Sequence, residues 1–111
     1  MNIEKVLEQI KTELGVNYEY DHFDEPPELP YITYERVETS NFYADGVVYY
    51  SVGRVDVLLH TSRRRRILES KIQKILGVSG FAWEKSTEWD EQEKIYTTTY
   101  TMDEHPQEDE K

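Results

Sequence analysis

Histidine is the side chain best suited to binding metals or moving protons near neutral pH, and the chain contains three of them. They are His22 in an acidic segment, His60 at the end of a predicted strand and His105 near the C-terminus. None is spaced as in the H-x-x-x-H or H-x-E patterns that bring ligands together on one element. There are no cysteines, which excludes thiolate nucleophiles, disulfides and cysteine-based zinc sites. We therefore interpret all three histidines as surface residues and expect no metal site.

Other arrangements that support catalysis or cofactor binding are missing from the sequence as well. No serine stands in a G-x-S-x-G pattern, and the five glycines are scattered singly instead of forming a phosphate-binding loop. The acids between Glu19 and Glu28 lack the D-x-D-x-D-G spacing of a calcium loop, so we interpret them as a solvated connection. The sequence predicts a protein that is not an enzyme and has no catalytic residues and no cofactor.

Four consecutive arginines, Arg63, Arg64, Arg65 and Arg66, stand out in a chain whose net charge is −10. They fall at the predicted start of a helix, where positive charges oppose the macrodipole. Glu69 is placed to pair with Arg65 and Arg66, four and three residues away. Three interpretations remain open: a solvated helix end with local ion pairs, a patch that docks carboxylates of a partner or a second copy, and a phosphate site.

Aromatic residues are abundant for a chain that is only 37 % hydrophobic, with nine Tyr, three Phe and two Trp. Disordered chains are poor in aromatic residues, so this favours a folded domain. The tyrosines exceed what one face of a small sheet can bury, which predicts cross-strand pairs on an open face that a partner covers. Together with the four arginines, the predicted interface residues are Phe42, Tyr43, Tyr49 and Tyr50.

The excess of acids, 23 against 13 basic residues, restricts the partners of the protein. Nucleic-acid and membrane surfaces are negative, so we expect neither as a ligand. Copies of the chain repel each other as well, which predicts a monomer in dilute solution at low salt. The sequence shows no signal peptide and no apolar run of about 18 residues, which favours a cytoplasmic site of synthesis and assembly.

Apolar periodicity predicts two helices, over residues 3–14 and 63–76. The expected end residues are Asn2 and Gly15 for the first helix, and Thr61 or Ser62 and Gly77 for the second. Runs of β-branched and aromatic residues predict four strands. The strands cover about residues 31–37, 47–59, 80–85 and 94–102. Residues 16–30, with three prolines, are predicted as a loop or partly extended connection, and residues 39–46 and 88–93 as turns.

The resulting fold class is α+β in the order α-β-β-α-β-β. A single domain over residues 1–102 is expected to form a four-stranded, mostly antiparallel sheet with both helices packed on one face. Residues 103–111 hold five acids and no core residues, and they are predicted to be a disordered acidic tail.

Three segments carry a resemblance to a known family: LPYITYER from Leu29, NFYADG from Asn41 and VDVLLHT from Val55. Together with Glu69 in the second helix and an acidic hairpin that returns through tyrosines, they resemble small tail-completion proteins of siphophages and prophages of Gram-positive bacteria. The resemblance extends over residues 29–102. It implies a tail terminator or head–tail joining protein of the lambda tail-terminator type.

Such a resemblance implies a structural protein of the virion, assembled in the bacterial host cytoplasm. Proteins of this family cap the tail tube as a ring, usually a hexamer, and then dock to the head connector. The implied partners are therefore further copies of the chain, the tail-tube protein and the head connector protein. The alternative from another class is an acidic inhibitor, such as a DNA mimic that occupies a nucleic-acid-binding protein. That alternative explains the negative charge but not the four arginines.

Overall fold

A computed structural model describes residues 2–37, 42–44, 47–50 and 53–104, with side chains for 2–37 and 53–104. The described backbone forms two helices and seven strands, which confirms the predicted α+β class. In chain order they are α1 (Ile3–Leu14), β1 (Asn17–Tyr20), β2 (Tyr31–Val37), β3 (Phe42–Ala44), β4 (Val47–Tyr50), β5 (Gly53–Thr61), α2 (Arg66–Val78), β6 (Trp83–Asp90) and β7 (Ile95–Glu104).

The main sheet has five strands in the order β1-β2-β5-β7-β6, while β3 and β4 form a separate antiparallel pair. β1 runs parallel to β2, and every other neighbouring pair in the sheet is antiparallel. The expectation of four strands was therefore wrong, because the sheet is five-stranded and mixed.

Two local features of the sequence concealed strands from the prediction. The prolines at 26, 27 and 30 indicated a connection over residues 16–30, but β1 ends at Tyr20, before the first of them, and pairs along the edge of the sheet. The single strand expected at 47–59 is divided between β4 and β5, and the turn expected at 39–46 contains β3. Alternation of side chains is the same in both halves of a divided strand, so the pattern does not reveal that the halves have different partners.

α1 forms as the sequence predicts. The Oδ1 atom of Asn2 accepts hydrogen bonds from the backbone amides of Glu4 (2.8 Å) and Lys5 (3.3 Å), which satisfies two otherwise unpaired amides of the first turn. At the other end Gly15 has φ +72°, a left-handed conformation that glycine adopts without strain, and its amide donates to the carbonyl of Lys11.

α2 begins three residues later than predicted, at Arg66. Thr61 is the last residue of β5, and Arg65 precedes the helix without a side-chain cap, so neither Thr61 nor Ser62 caps it. The later start leaves three of the four arginines outside the helix. A cation in the first turn opposes the macrodipole by some tenths of a kcal/mol, so this arrangement lowers the cost of the arginine run.

The end of α2 also differs from the prediction. The helix continues through Gly77 to Val78, and the residue that needs a left-handed conformation is Gly80, with φ +95°. The amide of Phe81 then donates to the carbonyl of Leu76 (3.0 Å), which closes the helix end.

One core lies between the helices and a single face of the sheet. Tyr34 on β2 donates to Glu4 of α1, and Tyr100 on β7 donates to Gln73 of α2, so both helices pack on this face. Burial and the carboxylate of Glu4 raise the pKa of Tyr34 to about 12, and its hydroxyl remains protonated. The buried apolar side chains of the strands are Ile32, Tyr34, Val55, Val57, Leu59, Tyr100 and Met102.

The face of the sheet opposite the helices, here called the far face, is not rich in tyrosine among the described residues. Its positions follow from the pairing register, which places Glu35 beside Asp56 and Leu58 beside Thr99. Of the six tyrosines whose side chains are described, only Tyr31 belongs to it. The others, Tyr18, Tyr20, Tyr34, Tyr96 and Tyr100, alternate onto the helix side. The expected tyrosine pairs on an open face are therefore wrong for this part of the chain.

An ion cluster joins the start of α1 and the end of β7 to β2. Arg36 makes two hydrogen bonds to Glu4 in α1 (2.7 and 2.8 Å) and two to Glu104 at the end of β7 (2.9 and 3.2 Å). Glu104 also accepts a hydrogen bond from the amide of Ile3 (3.0 Å), in the first turn of α1. β7 therefore extends two residues into the segment 103–111 that composition assigned to a tail, and residues 105–111 lie outside the described part.

Candidate functional site

The four arginines occupy two different environments. Arg64 turns inward and contacts Glu69, whereas Arg63, Arg65 and Arg66 are exposed. The prediction that Glu69 pairs with Arg65 and Arg66 was wrong. It assumed helical spacing through the run, but the helix begins only at Arg66.

Glu69 is the buried centre of a three-residue ion cluster. Its carboxylate is 3 % exposed and accepts hydrogen bonds from Arg64 (3.1 and 3.2 Å), while the Lys85 Nζ atom on β6 lies 2.7 Å away. Burial opposes ionisation of this carboxyl, but the two cations outweigh it and lower the pKa of Glu69. Glu69 therefore joins α2 to Lys85 on the sheet, and Arg64, whose side chain is 34 % exposed, is held against α2 by the same carboxylate.

The outer surface of α2 carries a stripe that the sequence reading missed. Ile67, Lys71, Lys74 and Val78 are all exposed and follow each other at i, i+4, i+7 and i+11, on one side of the helix. Ile67 is 75 % exposed and Val78 80 % exposed, the two highest values among the exposed large hydrophobic residues. We call these four residues the α2 stripe. The signal was present in the sequence, because Ile67 and Val78 do not fit the buried face of the helix.

A groove between α1 and α2 runs beside the α2 stripe. Its α1 wall is formed by Gln9, Glu13 and Leu14, and its α2 wall includes all four stripe residues together with Arg65 and Arg66. Glu13 accepts a hydrogen bond from Gln9 (2.7 Å). The remaining cations of the α2 wall form no ion pair with a carboxylate within the described residues; they are Arg65, Arg66, Lys71 and Lys74. The groove is thus a positively charged surface with apolar ends on an acidic protein.

The turn between β6 and β7 has the opposite character. The segment 88–93, here called the acidic turn, was predicted as a turn but starts three residues before the structural turn, because β6 continues to Asp90. Asp90 accepts hydrogen bonds from two following backbone amides, and Glu91 pairs with Lys94 (2.6 Å). The carboxylates of the acidic turn are Glu88, Asp90, Glu91 and Glu93.

Trp89 stands within the acidic turn and is 42 % exposed. Its ring packs against Tyr96 at 4.6 Å between centroids, and its indole N–H donates to Glu91 (2.9 Å). The side chain is thereby held in place while much of the ring remains accessible to solvent. Ordered, half-exposed tryptophan is a frequent anchor of protein interfaces.

The predicted aromatic interface residues are placed only in part. Phe42 and Tyr43 belong to β3, and Tyr49 and Tyr50 to β4, while their side chains lie outside the described part of the structure. Their role in an interface stays a prediction.

The histidines differ from each other more than the sequence suggested. His22 is exposed and pairs with Asp21 (2.8 Å), which raises its pKa. His60 is instead half-buried on the far face, bonded to Thr33 (2.8 Å) and Thr97 (3.3 Å) and stacked near Tyr31, so its interpretation as a surface residue was wrong. Burial lowers the pKa of His60. His105 lies outside the described residues.

His60 makes the stability of the fold depend on pH. Because its pKa is lower in the folded state, the unfolded chain takes up a proton more readily as the pH falls below about 6.5. We expect the wild type to lose about 1 kcal/mol or less of stability between pH 7.5 and 5.5 that His60→Gln does not lose. Urea unfolding of both proteins at both pH values measures the difference.

A matched control for this measurement is His22→Gln. The pKa of His22 is raised in the folded state, so the shift is opposite to that of His60. The contribution of His22 to stability is present below the pKa of the unfolded chain and is lost as the pH rises through the folded-state pKa. This variant should therefore lose stability relative to the wild type on acidification. Parallel pH curves for wild type and His60→Gln would contradict the assignment.

The described residues contain neither a metal-binding cluster nor a helix that could span a membrane. No group of three or more His, Asp or Glu side chains in these ranges is arranged to hold a metal ion. Neither described helix combines the length and apolar character that crossing a bilayer requires.

Fold and surface together define a small α+β protein in which a basic, apolar-ended helix surface and an acidic turn occur on one chain. The chain matches no protein-family model, and a search of curated proteins finds no match either.

Proposed function

We propose that the protein is a structural protein of a phage virion, a tail terminator or head–tail joining protein that assembles with copies of itself. The α2 stripe with Arg65 and Arg66 is the observation that carries this proposal. It is a positively charged surface with exposed apolar ends on a chain of net charge −10. Such a surface complements the acidic remainder of another copy.

Contacts between two different surfaces of identical chains are heterologous, and they generate a ring when the rotation closes. A ring, usually a hexamer in the family that the sequence resembles, matches the symmetry of a tail tube that it caps. The proposed partners are the tail-tube protein on one side and the head connector protein on the other. The protein is proposed to reside in the virion after assembly in the host cytoplasm.

The position of the resembling segments supports the same proposal. The first of them includes most of β2 and the third lies within β5. These two strands are neighbours in the centre of the sheet. The resemblance therefore involves the residues that build the scaffold and not only a surface loop.

Deleting the gene from a prophage that encodes it tests the function in the phage. Because a terminator ends the tail tube and a joiner connects it to the head, we expect induced lysates to contain unjoined heads and tails, seen by electron microscopy. Complementation with the wild-type gene should restore joined virions. Normal virions from the deletion strain would refute the proposal.

The arginines provide a second test with a matched control. Arg65→Glu/Arg66→Glu should fail to complement, because it inverts the charge at the start of the α2 stripe. Lys5→Glu/Lys11→Glu changes the net charge by the same amount on exposed positions of α1 and should complement. Equal complementation by both variants would show that this surface is not needed.

One observation favours the alternative, an acidic inhibitor that imitates DNA. Glu84, Glu88 and Asp90 lie on the same face of β6, which is the edge strand of the sheet. Displacement of a fluorescent duplex from a histone-like bacterial DNA-binding protein tests this function. Displacement that strengthens when Arg65 and Arg66 are reversed to Glu would favour the inhibitor over the assembly protein.

A further inference from the structure

We infer that the groove beside the α2 stripe receives the acidic turn of a second copy of this chain. The inference rests on the proposed self-assembly and specifies which two surfaces meet. The groove carries Arg65, Arg66, Lys71 and Lys74, and the acidic turn carries four carboxylates and a half-exposed tryptophan. Along β6, Trp89 faces the helix side of the sheet, and its neighbours Glu88 and Asp90 face the far side.

Charge complementarity selects this occupant. The exposed cations of the groove form no ion pair within the described residues, and neither do Glu88 and Glu93 of the acidic turn. Repulsion between chains of net charge −10 opposes the approach of two copies in general, whereas this approach brings opposite charges together. Contact therefore depends on orientation, which is what a specific ring requires.

Apolar surface on both sides gives the contact its energy. Trp89 offers a large aromatic ring held in position by Tyr96 and Glu91. Ile67 and Val78, at the two ends of the α2 stripe, are almost fully exposed. An aromatic anchor that packs on exposed apolar surface beside charge pairs is a frequent composition of protein interfaces.

The two surfaces belong to different elements of the chain, so the contact is heterologous. The groove lies between the two helices, and the acidic turn lies at the β6 edge of the sheet. Each copy would use its groove for one neighbour and its turn for the other. This arrangement can close into a ring, and it leaves β3 and β4 outside the contact.

Reciprocal charge reversal tests the contact. The groove variant is Lys71→Glu/Lys74→Glu, and the turn variant is Glu88→Lys/Glu93→Lys; these side chains make no described contact that stabilises the fold. Wild type should assemble with rising protein concentration at 150 mM salt, measured by sedimentation velocity. Each variant alone should assemble about 100-fold more weakly, because like charges then meet across the contact.

A 1:1 mixture of the two variants should restore assembly. In an alternating ring each reversed groove faces a reversed turn and each native groove faces a native turn, so only rings with an even number of subunits close. Trp89 reports the contact directly, and its fluorescence should shift to shorter wavelength on assembly in the mixture but not in either variant alone.

Controls separate charge from position. Lys5→Glu/Lys11→Glu and Glu25→Lys/Glu28→Lys reproduce the two changes in net charge at exposed sites elsewhere, and both should assemble like wild type. Wild-type assembly that neither reversal weakens would overturn this contact while leaving the proposed function intact. A wild type that stays monomeric, also with added tail tubes of its phage, would overturn the proposed assembly itself.

Discussion

Glu69→Gln is expected to destabilise the fold by about 2 kcal/mol at pH 7. The substitution removes the negative charge between Arg64 and Lys85 and leaves two cations facing a neutral amide. Removing one partner of a fully buried ion pair costs roughly 3–5 kcal/mol. The smaller value applies because Arg64 and Lys85 are 34 % and 29 % exposed and regain part of their hydration. Urea unfolding followed by circular dichroism measures the loss.

The control for this change is Glu84→Gln on β6, an exposed carboxylate without an ion pair among the described side chains. It should alter stability by no more than about 0.5 kcal/mol.

Acidification provides a second check of the Glu69 prediction. The pKa of Glu69 is lowered, so its contribution is present above about pH 4.5 and is lost as the pH falls through the folded value. The stability gap between wild type and Glu69→Gln should therefore shrink at low pH, and a gap that is independent of pH would contradict the ionised state.

Arg36→Met is expected to cost about 1–2 kcal/mol. The guanidinium makes four hydrogen bonds to Glu4 and Glu104, and its loss leaves two carboxylates close to each other at the start of α1. This cost is smaller than that of breaking a buried ion pair, because the side chains of Arg36 and Glu4 are partly exposed to solvent. Chemical unfolding gives the total, and hydrogen exchange of the first turn of α1 should increase most, since Arg36 links it to the sheet.

A second substitution of Arg36 separates the contribution of its hydrogen-bond geometry from that of its charge. Arg36→Lys keeps the charge but cannot form paired bonds to both carboxylates, so it should fall between wild type and Arg36→Met. Arg54→Met on β5 removes an exposed arginine that lies 3.7 Å from Asp56, and little change is expected. If Arg36→Met and Arg54→Met were equally stable, the cluster would contribute nothing measurable to joining α1 and β7 to β2.

The parts of the fold that the sequence predicted well depend on residues close together in the chain. α1 is the clearest case, because Asn2, the apolar period and Gly15 act within a few residues of each other. The last strand is another, since Thr98, Tyr100 and Met102 are buried while their neighbours face the other way. The α+β class follows from the same local periodicities.

Errors arose where partners are distant in sequence. A polar segment such as Asn17–Tyr20 becomes a strand because β2 offers a free edge, which no local pattern records. The arginine run was read as one unit, yet Arg64 is directed inward by Glu69. That carboxylate is held in turn by Lys85, which lies 21 positions beyond Arg64 in the chain. The tyrosines were assigned to an open face from their number alone. The face that each one occupies depends on strand register, which the sequence pattern does not give.

By itself the sequence determined the helical ends of α1, the α+β class, the absence of cysteine chemistry and the presence of a basic run in an acidic chain. Only the tertiary structure decided which arginines remain exposed, how strongly Ile67 and Val78 are exposed on α2, and that Trp89, near the end of β6, stays half-exposed against Tyr96. The reason is physical: conformation near a helix end is set by neighbours within one turn, whereas exposure is set by whatever packs against a residue from elsewhere in the chain.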